Sequence, residues 1–176
     1  MTEKELQAII AKYLSRYFYV EQEVWSVNYK KRIDIAMVHR LDIEKDYPIG
    51  IEIKTFDKKT GSDAGKWLKQ SQTYSELDFV GYGKMLIIIA PQFSGNVFLE
   101  GTLMSQHMQD GYPGSAHNVS TFLGQFNLGE FQTYYRINYK TSEKKKYARV
   151  VYNGQIIWNE HDNRLRTNNY PVLCKR

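Results

Sequence analysis

Leu6, Ile9, Ile10, Tyr13, Leu14 and Tyr17 recur at helical spacing, which predicts an amphipathic helix over residues 3–18. Thr2 and Glu5 have the spacing of a capping box at its start. Strand-like runs follow at Tyr19–Val27 and, beyond the polar turn 28–31, at Arg32–Val38. A charged loop, Arg40–Pro48, leads into Ile49–Lys54. There Ile49, Ile51 and Ile53 alternate with Gly50, Glu52 and Lys54, the pattern of a strand with an apolar and a polar face. After the polar connection Asp57–Gly65, a helix is expected over Ala64–Leu77, carrying Trp67, Leu68 and Tyr74. Lys84–Ala90 is an apolar strand stopped by Pro91. Helix, three strands, helix, strand is the order of an α/β core, an antiparallel meander with one crossover into a parallel pair.

Beyond Pro91 the pattern is weaker. Val97–Met108 fits either helix or strand, and Asp110–Gly114 reads as a turn. Val119–Phe126 and Phe131–Tyr139 are apolar and aromatic. Tyr147–Tyr152 and Gln155–Trp158 flank Asn153-Gly154, a strong hairpin signal. His161–Arg176 reads as a polar tail or a final edge segment. The expectation is one domain over 1–176, with a core at 2–90 and a β-rich extension at 91–176 of unassigned role.

Charge sharpens the picture. The chain has 24 basic and 19 acidic residues, a formal +5, a mild excess compatible with nucleic-acid binding. Its distribution says more. No Lys or Arg lies between Met85 and Tyr135, while bases gather in Lys30–Arg32, Lys54–Lys69, Lys140–Arg149 and Arg164–Arg176. Lys144–Lys146 is expected in a hairpin-end loop, with phosphate contact as the alternative reading. The single cysteine, Cys174, excludes an internal disulfide, and the four histidines have no zinc-ligand spacing and read as surface residues. With no apolar signal core and no run long enough to cross a bilayer, a cytoplasmic protein with no membrane partner is expected.

The candidate chemistry lies in the first half. Glu52 and Lys54, two apart on one strand, stand side by side at roughly 6–7 Å. Asp34, in the preceding strand, adds a second carboxylate. Two acids and a lysine converging on one spot are what a Mg²⁺-dependent phosphodiester-cleaving site needs. Mg²⁺ takes a few hard oxygen ligands and keeps several waters. Asp34, Glu52 and the carbonyl of Ile53 could supply those oxygens. Lys54 could act on the attacking water or on the charged transition state.

With Asp34 on one strand, Glu52-Ile53-Lys54 on the next and a helix after it, the chain resembles the PD-(D/E)XK nuclease superfamily over about half its length. Gln70-Ser71-Gln72-Thr73-Tyr74 further fits the Gln-x-x-x-Tyr signature of the branch that includes recombination exonuclease domains, with Gln70 and Tyr74 on one helix face. The position before Asp34 is Ile33 rather than Pro. The resemblance implies a restriction-endonuclease-like core and a Mg²⁺-dependent deoxyribonuclease in which Mn²⁺ substitutes. Asp34 and Glu52 would bind metal, Lys54 would act in catalysis, and Gln70 and Tyr74 would contact DNA or the site's carboxylates. Glu5 could supply the first-helix acid that the family often contributes, although the capping box explains it equally well. Lys58, Lys59, Lys66 and Lys69 are candidate phosphate contacts or a solvated face. The expected partner is DNA, with a homodimer or larger nucleoprotein complex as the assembly. The expected setting is an endonuclease of a phage or mobile element, of restriction, or of recombination and repair. The alternatives are a catalytically silent module of the same fold that binds DNA or serves as a complex subunit, and an interaction protein using segment 85–135, which has no Lys or Arg.

Overall fold

The computed structural model describes residues 2–54, 64–90 and 115–171. Among these residues eight strands form one mixed sheet in sequential order: β1 (Phe18–Trp25), β2 (Arg32–His39), β3 (Ile49–Ile53), β4 (Leu86–Ala90), β5 (Leu128–Asn138), β6 (Glu143–Tyr152), β7 (Gln155–Asn159) and β8 (Arg164–Leu165). Among the described residues three helices pack on it: α1 (Glu3–Leu14), α2 (Ala64–Ser75) and α3 (Ser115–Gly124). β1, β2 and β3 are antiparallel, β3, β4 and β5 are parallel, and β5 through β8 are antiparallel again. The mixed α/β class and the crossover through α2 into a parallel pair are as the chain order implies.

Strand alternation divides the core between the two faces of the sheet. On one face α1 buries Ile10, Ala11 and Leu14 against Phe18, Ile35, Ile49, Ile51, Ile53 and Trp158. On the other, Trp67, Leu68 and Tyr74 of α2 and Leu123 of α3 pack on Ala36, Ile87, Ile89 and Leu128. β3 and β4 are buried on both faces, as expected for strands covered by helices on each side. Gly50 is part of that fit. A Cβ there would lie 2.9 Å from Ile87 Cδ1 and 3.2 Å from Met85 Cε.

Several expectations change. α1 stops at Leu14 and β1 begins at Phe18, although the apolar repeat runs on to Tyr17. Tyr17 instead packs against Trp158, ring centroids 5.4 Å apart and planes tilted by 54°, and its hydroxyl donates to Glu160 at 2.9 Å. Lys144–Lys146 is not a loop but part of β6, paired with Ile137, Arg136 and Tyr135; the turn lies at 139–142. His39 is buried, 2.9 Å from Asn163 Oδ1 and edge-on to Phe18. Of the two expectations for His161–Arg176, the final edge segment is the one found: β8 ends the sheet, and a short 3₁₀ turn, Thr167–Asn169, leads to the buried Tyr170. The Asn153-Gly154 turn joins β6 to β7 with both residues at positive φ, 47° and 77°, the geometry of a tight hairpin. Val97–Met108, Asp110–Gly114 and most of Asp57–Gly65, including Lys58 and Lys59, lie outside the described residues.

Candidate active site

The β2–β3 ladder runs from Met37 opposite Ile49 to Ile35 opposite Ile51. Beyond it the Asp34 carboxylate takes over, accepting the Ile53 N–H at 2.7 Å. β3 still pairs with β4 at this level, and the Lys54 N–H donates to the Ala90 carbonyl at 3.0 Å. The two strands therefore part at their ends around Asp34, Glu52 and Lys54.

Glu52 is 3% exposed. One of its oxygens lies 3.2 Å from Lys54 Nζ, and the other is buried with no hydrogen-bond partner. Burial, reinforced by the Asp34 charge, pushes its carboxyl up to about 7. Burial also raises Asp34, against the Ile53 N–H and Lys54, which lower it. For Lys54, burial pulls the ammonium down, but Glu52, Glu3 and Asp34 together outweigh it and hold it above the ordinary lysine value. The site is thus a buried Glu52 beside a half-buried Asp34, with one cation and an unsatisfied oxygen.

Gln70 and Tyr74 meet on one face of α2, Gln70 Nε2 donating to the Tyr74 hydroxyl at 2.7 Å. Tyr74 is buried, packed edge-on to Phe79, and its phenol is raised by burial and then by the Glu52 charge. The Gln-x-x-x-Tyr pair therefore sits within electrostatic reach of the acids. Lys66 and Lys69 lie on the exposed side of the same helix.

Glu5 does not join this group. Its carboxylate accepts the Thr2 N–H at 2.7 Å, and the Thr2 hydroxyl accepts the Glu5 N–H at 3.2 Å, closing the capping box. The α1 acid that reaches the site is Glu3, 3.8 Å from Lys54 Nζ. Gln7, one turn on and buried, donates to the Asp34 carbonyl at 2.8 Å and to Glu23 at 3.4 Å. Glu23 has a positive φ of 61° inside β1 and pairs with Arg32 at 2.6 Å. Helical phase carries the signal for Glu3 and Gln7: they share a stripe with the buried Ile10 and Leu14, and Glu5 does not.

A second buried polar group lies nearby. Glu52 and Glu130 both oppose Ile89, from β3 and β5. Glu130 accepts from Gln132 Nε2 at 2.7 Å, and Gln132 accepts from Arg149 Nε at 2.9 Å. The only trace of it in the sequence is a pair of polar residues, Glu130 and Gln132, in phase with Leu128.

No group of three or more His, Cys, Asp and Glu side chains fit to hold a metal occurs among the described residues. Two carboxylates suffice for an ion that keeps most of its waters. The unsatisfied Glu52 oxygen fits such an ion, because a divalent cation would satisfy that oxygen and neutralise the acid pair. Comparison with protein-family models, with curated proteins and with solved structures gives no match, so the reading of the site rests on its own geometry.

Proposed function

We propose that this chain is a Mg²⁺-dependent deoxyribonuclease with a restriction-endonuclease-like core. The observation that carries the reading is the buried Glu52, with one oxygen on Lys54 and the other unpartnered, beside Asp34. A buried acid left this way costs stability, about 1–3 kcal/mol for the missing hydrogen bond alone, which a structural role does not explain.

Asp34, Glu52 and the Ile53 carbonyl would hold the ion, with Mn²⁺ as a substitute. When bound, the ion supplies charge neutralisation at the scissile phosphate and lowers the pKa of water. The chain's own residues do the rest. Lys54, held cationic by Glu52 and Glu3, orients the attacking water or stabilises the charge that develops on phosphorus. Water adds to phosphorus in line, the P–O3′ bond breaks, and the products are a 5′-phosphate and a 3′-hydroxyl. Tyr74, buried under the acids, is a positioning residue that fixes Gln70 at the rim. Lys66 and Lys69 meet backbone phosphates.

The test is the Lys54→Ala variant. Its cleavage rate should fall roughly 100- to 10,000-fold with duplex affinity nearly unchanged. Full activity in that variant would remove Lys54 from the site. A catalytically silent DNA-binding module or complex subunit is the second reading, favoured by the absence of a three-ligand cluster among the described residues. Binding without cleavage in Mg²⁺ and Mn²⁺ would select it.

A further inference from the structure

The β5–β6 hairpin leaves the body of the protein. Every residue from Tyr135 to Lys146 is exposed, so the ribbon there has water on both faces. Two strands with no core beneath them are marginal by themselves. This ribbon is also loaded against itself. Arg136 stands directly opposite Lys145, a like-charge cross-strand pair, and Lys144 and Lys146 lie on the other face opposite Ile137 and Tyr135. Residues 135–146 hold five basic side chains and one acid, Glu143. That net +4 compares with +5 for the whole chain. The aromatic rings lie among the cations: Lys144 Nζ is 4.2 Å from the Tyr135 ring centroid, and Tyr139 is 94% exposed at the turn. An anionic partner would relieve the repulsion that the fold leaves in place.

Topology aims this arm. β3, β4 and β5 are parallel, and Glu52, Ile89 and Glu130 lie level with one another. β5 then continues eight residues past that level to Asn138, roughly 26 Å, in the direction in which β3 runs toward Lys54, just past its end at Ile53. Sideways, β3 and β5 are two strand spacings apart, about 10 Å. The arm therefore rises from the same edge of the sheet as the candidate site and beside it.

We infer that the tip of this hairpin is a grip for duplex DNA, its two-stranded ribbon entering the major groove while Arg136, Lys140 and Lys144–Lys146 meet the flanking phosphates. The major groove, about 12 Å wide, admits a two-stranded β-ribbon. The choice of DNA as the polyanion rests on the nuclease reading; the charge and exposure of the arm do not.

The experiment is fluorescence anisotropy of the full chain with labelled random-sequence duplex in EDTA, across a salt series. The variants are Lys144→Ala/Lys145→Ala/Lys146→Ala and the matching triple Arg, with circular dichroism confirming that each is folded. The triple Ala should bind roughly 10- to 100-fold more weakly, and its salt slope should shrink by about 2–3, one phosphate contact per lysine. The triple Arg should keep both. Unchanged affinity and slope in the folded triple Ala overturn the inference, as does a parent that binds no duplex at low salt. Equal affinity for a single strand of the same length overturns the groove assignment. Arm-dependent binding to phosphatidylserine vesicles without duplex binding makes a membrane surface the partner and overturns it too. Arm-dependent duplex binding by a parent that cleaves nothing would sink the nuclease reading and leave the arm standing.

Discussion

Glu52 decides the behaviour of the site at the scale of single residues. Its carboxyl, raised to about 7 by burial, binds a proton in the folded metal-free chain at pH values where the unfolded chain, near 4.5, has released it. Stability from this group is therefore full below about 4.5 and is lost as pH rises through about 7, on the order of 3 kcal/mol in total. Asp34, also raised, acts in the same direction. Thermal melts in EDTA should show the parent losing several degrees between pH 5 and pH 8, while Glu52→Gln melts higher than the parent at pH 8. A parent whose melting point is flat over that range would contradict the burial argument. A bound cation must displace the same proton. Apparent Mg²⁺ affinity should then rise about tenfold per pH unit below 7 and level off above it.

Elements explain how the acids come to face each other. α1 is tied at three places: the Thr2–Glu5 capping box at its start, Gln7 on the Asp34 carbonyl, and, on Glu160, Tyr13 of its last turn with Tyr17 just beyond its end. Glu160 also accepts the Ala148 N–H at 2.7 Å, so one half-buried carboxylate joins the helix to β6. Thr2→Ala should cost about 1 kcal/mol, a drop of about 2–4 °C in melting temperature. Glu5→Gln should leave the metal requirement of cleavage unchanged, since its carboxylate serves the cap; a weakened Mg²⁺ dependence would return Glu5 to the ligand set. What the sequence reveals and conceals divides at this scale. The period-2 run at Ile49–Lys54 and the turn at Asn153-Gly154 are local signals, and both are visible. The end of α1 and the burial of His39 depend on partners far along the chain: Tyr17 meets Trp158, and His39 meets Asn163. No window along the sequence contains those pairs. The strand at Lys144–Lys146 is local, but its register places Lys145 opposite Arg136, a like-charge pair that strand propensity does not favour. Of the candidate site, the acids, the lysine and the Gln–Tyr pair are readable as motif positions. The exchange of Glu5 for Glu3 required the helix phase, and the Glu130–Gln132–Arg149 group required the sheet.

At the scale of the whole molecule, three parallel strands set the working edge. The candidate site lies where β3 ends, and the charged hairpin rises past the same level on β5. Charge and chemistry therefore share an edge even though they are separated by more than eighty residues of sequence. Among the described residues no helix is long and apolar enough to cross a membrane. The most direct measurement is incubation of the purified chain and its Asp34→Ala variant with supercoiled, linear and single-stranded DNA, in Mg²⁺, in Mn²⁺ and in EDTA. Strand breaks made by the parent in either metal, absent in EDTA and reduced to background in the variant, are the predicted result. Equal cleavage by both proteins, or none by the parent under every condition, would contradict a metal site built on Asp34 and Glu52.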